Sequence, residues 1–430
     1  MRFVRELTSW VSGFSDPDNF PYPAVLAEFH RVGKHFVEKE LLALLDEIRA
    51  QLPAARGGPD AAGRPGPARL LRDFLDVALD KWDGRYDYRS YLGLPLLGLP
   101  TGDGNTAGDP DGGRRERDRL LVRLIADALA FELAAGAGAT SLLPEQRPGP
   151  ALVAKRHRLG VRAAAPALTR LGLVAPPEGS RPQAAAAALT ALARADRTAA
   201  EERILRLTML PVYVSHDEYL FIRVLQAYEC VFAALADELR AAVGDVARGR
   251  ARPAADRLTH ARDQLAAAGP LFSLLATMQP ESFRTFRAYT EGASAIQSRS
   301  YKLVESLCRT PDGARLASAA YRSVPEVRAG VLAGAPTIDA AYRTAVRDGR
   351  LAGPDRDLVR RRMGEFAAAL LQWRRTHHRL ATRMLGDQPG TGYTEGTPYL
   401  AAARSVPVFT TVGHGPWPAS SREETGGCPA

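Results

Sequence analysis

The sequence predicts an all-α protein, and three observations carry that prediction. Apolar residues make up 46% of the chain, with Ala, Leu and Arg abundant and runs of β-branched residues scarce, which favours helices over strands. Apolar positions recur at three- and four-residue intervals over several long segments, the period of one helix face. Gly/Pro-rich stretches punctuate these segments. A length of 430 residues suggests two or three domains, or one domain with a large insertion.

Residues 1–55 read as helix. The strongest piece is LAEFHRVGKHFVEKELLALLDEIRAQL, in which Ala27, Phe29, Val32, Phe36, Leu41 and Leu44 form an approximate stripe. His30 and His35 lie five apart and do not share a face, which argues against a metal pair. Residues 56–68 (RGGPDAAGRPGPA) read as a linker. The helix RLLRDFLDVALDKWD follows, then YDYRSYLGLPLLGL with Tyr86, Tyr88 and Tyr91, and then a Gly/Asp-rich loop over 101–117. Residues 118–209 contain two or three Ala-rich helices, among them RLLVRLIADALAFEL. Within them VAKRHRLGVR fits a small helical or winged module and shows no chemistry of its own.

From His216 the character changes. HDEYLFIRVLQAYECVFAALADELRAAV predicts a long helix capped by Ser215 or Asp217, with Phe221, Val224, Leu225, Tyr228, Phe232 and Leu235 on its inner face. Further helices are expected over 254–278, over 281–308 with a break at 291–294, and over 355–386. The tail after Phe409 is Gly/Pro/Ser-rich, and its end is expected to be disordered. The expected organisation is an N-terminal helical region (1–98), a helical insertion (99–209), a bundle of four or five long helices (210–410) and a tail (411–430).

The net charge is +9, with Arg spread along the chain beside Asp and Glu. No compact basic tract with interleaved aromatics is present, so nucleic acid is not an expected partner. Cys230, Cys308 and Cys428 have neither metal nor redox spacing, as in a reducing compartment. MRFVRELTSW lacks the apolar region of a signal peptide, and Leu120–Leu143 is interrupted by Arg123, Asp127 and Glu132. A cytoplasmic protein without membrane contact is the expectation.

The stretch with the clearest chemical promise is LLQWRRTHHRLATRMLGDQPGTGYTEGTPYL, residues 370–400. Leu370, Trp373, His377, Leu380 and Met384 fall on one helix face. Gly386 fits a C-cap and Pro389 prevents the helix from resuming. Pro389-Gly390-Thr391-Gly392 then permits close backbone approach to a ligand. An inward His377 has two readings: a satisfied core residue, or a neutral imidazole held out as an axial ligand for haem iron. His378 lies about 100° around the helix, on a solvated side.

Three segments together resemble the tryptophan 2,3-dioxygenase family: HDEYLFIRVLQAYECVF, ATMQPESFRTFRAYTEGASAIQSRSYKLVES and WRRTHHRLATRMLGDQPGTGYTEGTPYL, spanning roughly 211–405. YDYRSYLGLPLL is similar to a Tyr-x-x-Tyr-Leu stretch that the family carries ahead of its HDE helix, which makes residues 98–209 largely an insertion. The resemblance implies a haem-binding helical bundle with heme b, and it assigns roles residue by residue. His377 matches the proximal iron ligand, Arg287 the clamp on a substrate carboxylate, and Ser294 a residue near a haem propionate. Thr391, with Gly392, matches the loop that holds the substrate ammonium, and Phe221 the ring wall. Tyr88 and Tyr91 match tyrosines that a neighbouring subunit contributes. A homotetramer, or at least a dimer, is implied in the same way.

Two departures accompany the likeness. The family's distal His is Leu225 here, which cannot accept a hydrogen bond from an indole N–H and cannot serve as the acid/base of peroxidase-type O–O cleavage. Tyr393 and Glu395 make the Gly-rich loop bulkier and more acidic than the family pattern. The leading expectation is dioxygenation of L-tryptophan, or a substituted tryptophan, to an N-formylkynurenine-type product, with O2 and the amino acid as partners. A diverged monooxygenase or hydroxylase of an indole or tyrosine ring is the second, and a non-catalytic haem-binding sensor the third.

Overall fold

The computed structural model describes residues 2–12, 16–52, 66–99, 110–177, 179–385 and 397–412. Among the described residues the chain is all-α and has no strand. A single isolated parallel bridge joins Glu145 to Ser215.

The N-terminal part holds α1 (Arg2–Ser12), α2 (Tyr22–Val32), α3 (Lys39–Gln51) and α4 (Pro67–Ala78), then two single turns, α5 (Tyr88–Tyr91) and α6 (Leu94–Leu97). α5 starts on a capping box between Asp87 and Ser90, which satisfies two backbone donors at once. Phe20, Phe29, Leu45, Leu71 and Phe74 form a core of their own, which also takes in Leu207 and Leu210 from much later in the chain. Backbone bonds fasten the seam, from Lys34 N–H to the Pro211 carbonyl (2.8 Å) and from His35 N–H to the Val212 carbonyl (3.2 Å). Gly33 is required at this seam. Its φ is +81°, and a Cβ there would lie 2.7 Å from the Tyr213 Cα. His30 Nε2 bonds the Met209 carbonyl at 2.7 Å.

Next come α7 (Pro110–Gly136), α8 (Pro150–Leu171), α9 (Pro182–Ala195) and α10 (Ala199–Leu207), then the 32-residue α11 (His216–Ala247). Leu124, Ile125 and Leu129 of α7 and Ala164 and Leu168 of α8 share one hydrophobic cluster with Val224, Tyr228 and Leu235 of α11. The packing therefore runs unbroken across residue 209, where the sequence suggested a boundary. Gly160 lets α8 cross close to α7: a Cβ there would lie 2.7 Å from a Leu129 methyl. The segment read as a possible winged module is the middle of α8. α11 is long and apolar enough to cross a membrane, but 89% of its most apolar window is buried inside the protein.

The remainder wraps around α11. α12 (Ala251–Ala267) and α13 (Gly269–Leu275) replace the single helix expected over 254–278, because Pro270 has no N–H to continue the ladder. α14 (Pro280–Arg287) and α15 (Arg299–Cys308) flank the expected break at 291–294. Four shorter helices follow: α16 (Gly313–Leu316), α17 (Ala319–Arg322), α18 (Pro325–Leu332) and α19 (Ile338–Arg347). The 33-residue α20 (Gly353–Leu385) lies against α12, α13 and α14, and α21 (Thr397–Ser405) lies on α20. The expected C-cap Gly386 and the tail beyond 412 lie outside the described residues.

Candidate active site

A cavity of about 230 Å³ lies between α11, α13, α14, α15 and α20, with α5 closing one side. The described residues to which the resemblance assigns roles, Phe221, Leu225, Arg287, Ser294 and His377 among them, line it together. They come from four separate stretches of chain. Thr391 and Gly392 lie outside the described residues.

α20 presents His377 on the face also used by Trp373, Leu380 and Met384, and all four line the cavity. His378, one residue on, does not. The His377 imidazole is bracketed by Trp373 (ring centroids 5.1 Å apart) and Phe272 (6.2 Å, nearly parallel). Burial pushes its pKa down to about 4, and the His378 and Lys302 charges add to that fall. The ring is therefore neutral at neutral pH, with a lone pair available to a metal. Trp373 is itself enclosed by Tyr228, Phe232, Phe272 and Tyr301, each with its ring centroid 5.1–5.9 Å away. Arg374 holds this wall in place by donating to the Tyr301 hydroxyl (2.8 Å) and the Val406 carbonyl (2.6 Å). Behind it, Glu305 takes Lys302 at 3.2 Å and Arg315 at 2.9 Å.

The opposite wall is built by α11 and α14. Phe221 and Leu225 sit one helical turn apart, so both face inward. Phe283 and Phe286 approach Phe221 at 5.8 and 5.3 Å between centroids, forming an aromatic box that the sequence reading did not assemble. The spacing F-x-x-F at the start of α14 was the available signal. Arg287 is half-buried beside the cavity, and desolvation lowers its pKa. Ser294 opens the 3-10 turn at 295–297, and its backbone N–H bonds the Gln297 side-chain oxygen at 3.0 Å.

The His-Asp-Glu triplet that opens α11 is a set of clamps. Ser215 does stand at the N-cap, but its side chain does not cap the helix; its hydroxyl bonds Gln146 and Ser282 instead. His216 bonds Glu132 of α7 at 3.1 Å, too committed to replace a distal His at Leu225. Asp217 accepts from Arg156 of α8 (2.6 Å) and from the Gln279 N–H (2.6 Å). Arg156 also reaches Glu132 at 2.7 Å, so a fully buried guanidinium ties α7, α8 and α11 together. The sequence reading saw no chemistry in this region. An Asp at a buried helix start requires a partner, and that was the overlooked signal.

Glu218 accepts from the Val212 and Tyr213 N–H groups (2.7 and 3.0 Å) and from the Tyr91 hydroxyl (3.1 Å). Burial outweighs these donors and raises its carboxyl to about 8. The folded protein then keeps a proton that the unfolded chain releases near pH 4.5. Stability from this group is full below about pH 4.5 and is lost as pH rises through about 8. Glu218→Gln keeps an acceptor and removes the titration. Its stability relative to the parent should improve steadily from about pH 5 to about pH 9, as measured by urea denaturation at each pH; a constant difference would contradict this.

The residues fit an iron porphyrin. A neutral imidazole projects from a helix into a cavity with flat aromatic and aliphatic walls, and no described protein group hydrogen-bonds either of its ring nitrogens.

No protein-family profile matches the chain. Individual relatives do. The tryptophan 2,3-dioxygenase of Erythrobacter litoralis is 30% identical over 240 residues, covering 46% of this chain and 88% of that protein. Those of an Anaeromyxobacter species (27% over 223 residues, 45% and 84%) and of Pseudomonas aeruginosa (28% over 240 residues, 46% and 81%) align similarly. More than four fifths of each of these relatives is matched by less than half of this chain. The chain belongs to the tryptophan 2,3-dioxygenase family, as a diverged member.

Proposed function

We propose that this protein is a haem-dependent oxygenase of an aromatic α-amino acid. Its reaction is addition of both atoms of O2 across the indole C2=C3 bond of L-tryptophan or a substituted tryptophan, giving an N-formylkynurenine-type product. The observation that carries this reading is the convergence of His377, Phe221 and Arg287 on one cavity. His377 would hold heme b, which supplies dioxygen activation when bound. The chain's own residues do the rest. Arg287 takes the substrate carboxylate in a bidentate fork. Phe221, Phe283 and Phe286 wall the ring. Ser294 stands at the same rim, and Thr391 and Gly392 would take the ammonium. The apolar lining excludes water from the reacting bond. A dimer or tetramer, a cytoplasmic location, and independence from nucleic acid and membranes complete the proposal.

Leu225 favours a second reading. Without a distal acceptor the pocket suits a ring with no N–H at that point, which favours a diverged oxygenase of another aromatic ring; a one-atom insertion there would release the other oxygen as water with two electrons from an external reductant. Leu225→His should tighten tryptophan binding by the worth of one hydrogen bond, about 0.5–1.5 kcal/mol, if an indole N–H points there. Equilibrium titration reads this directly, and an unchanged affinity would indicate another ring.

The deciding experiment is to load the protein with haem, reduce it without air, and add isotopically labelled O2 with tryptophan or with tyrosine. Two labelled atoms in tryptophan support the dioxygenase. One atom, or reaction with tyrosine alone, supports the diverged oxygenase. Haem binding without any product supports a sensor.

A further inference from the structure

We propose that Lys302 is a charge placed beside the iron site: with Arg315 and Arg374 it keeps the His377 side of the cavity positive, which favours the reduced state of a haem held there. Lys302 is then a tuning residue of the proposed haem site, and its role rests on that reading. Lys302 of α15, Arg315 of α16 and Arg374 of α20 all line the cavity that His377 faces. Lys302 and Arg374 are 2% and 5% exposed. The three cations share one carboxylate. Glu305 stands 3.2 Å from the Lys302 amine, 2.9 and 3.0 Å from Arg315 and 3.5 Å from Arg374. Its single negative charge leaves the cluster with positive charge in excess. Glu229 of α11 also faces Lys302, but burial pushes its carboxyl up, against the charged form.

Pairing alone does not account for Lys302. Glu305 already has the guanidinium groups of Arg315 and Arg374 as partners. A further cation in a dry interior costs stability that an apolar side chain would not. The Lys302 amine lies over the Tyr301 ring, 4.9 Å from its centroid. Tyr301 packs on Trp373 at 5.4 Å, and Trp373 on His377 at 5.1 Å. A chain of packed rings thus joins the cation to the imidazole, and such a medium screens charge weakly. The field of Lys302 already reaches His377, whose imidazole it helps to keep neutral. Ferric haem carries one more positive charge than ferrous haem, so a fixed cation in this medium destabilises the ferric form more. The surroundings of a haem are among the means by which a protein sets its potential. Dioxygen binds reduced iron, so the cluster favours the state that the proposed reaction requires.

Reduction potentials of the haem-loaded protein test this without turnover. The parent, Lys302→Met, Lys302→Arg and Glu305→Gln are titrated spectroelectrochemically in mildly acidic buffer, where the Lys302 amine, lowered by burial to about 8, is charged. In Lys302→Met the ferrous-to-ferric ratio at a fixed solution potential should fall about tenfold, a midpoint about 59 mV lower for one electron. Lys302→Arg should stay with the parent. Glu305→Gln removes the opposing charge and should shift the midpoint the other way. A purely structural role gives no such reversal of sign. Lys302→Met leaves Glu305 its Arg315 and Arg374 partners, and if it folds poorly Glu305→Gln decides alone. Haem retained by Lys302→Met at the parent's potential, or a Glu305→Gln midpoint at or below the parent's, would overturn the proposal. A parent that retains no haem would overturn the haem reading itself and this proposal with it, which separates the two failures.

Discussion

His377→Ala should yield a folded protein that no longer retains haem, whereas His378→Ala should retain it with an unaltered absorption spectrum. The two residues are adjacent and chemically identical, and helix geometry alone separates them. The imidazole of His377 is enclosed between Trp373 and Phe272 and faces the cavity, whereas His378 is not part of its lining. Removing a group that merely orients a metal ligand typically weakens binding about 10–100-fold, so removing the ligand itself should exceed that range. Titration of the unloaded variants with haem, followed by gel filtration, reads the difference. Equal retention by both variants would make His377 a core residue of the aromatic wall.

Arg156→Met should lower stability by about 3–5 kcal/mol, the usual consequence of removing one partner from a buried ion network. Arg156 and its partners Glu132 and Asp217 are all buried. Burial favours protonated Glu132, but His216 and Arg156 prevail and hold its carboxyl below the ordinary range. Without the guanidinium, two carboxylates face each other in a dry interior. Combining Arg156→Met with Glu132→Gln and Asp217→Asn should recover part of the loss. Both negative charges disappear, while the amide oxygen introduced at position 217 can still accept from the Gln279 N–H. Urea denaturation of the parent, the single and the triple variant measures this. A single variant within about 1 kcal/mol of the parent would mean that the network contributes little.

Much of the fold was legible because helix periodicity is a local signal. α11 is buried on every side, and the face read from it, with the face read from α20, supplies residues that line the cavity; the break at 291–294 is where expected. What sequence could not supply was partnership across long separations. Arg156 looked like one Arg among many until α8 crossed α7 and α11. Phe283 and Phe286 looked like ordinary helix-face residues until α14 met Phe221. The wall of Tyr88 and Tyr91 depends on a contact between Leu92 and Gln226 that has no sequence pattern. Capping failed at Ser215 for a related reason: Gln146 and Ser282, both distant in sequence, compete for its hydroxyl. Leu225 was the opposite case, a single local substitution whose chemical meaning could be read directly.

The position of Trp373 has a practical consequence. Of the four tryptophans in the chain, this one packs 5.1 Å from the His377 ring and lines the cavity. A haem held by His377, as proposed, would lie near enough to this indole to take up its excitation energy, so ultraviolet emission from Trp373 is expected to fall as the cavity fills. The protein thus carries a built-in fluorescent gauge of occupancy. With Trp373→Phe as the reference, that gauge can follow pigment uptake in real time, before any substrate has been identified.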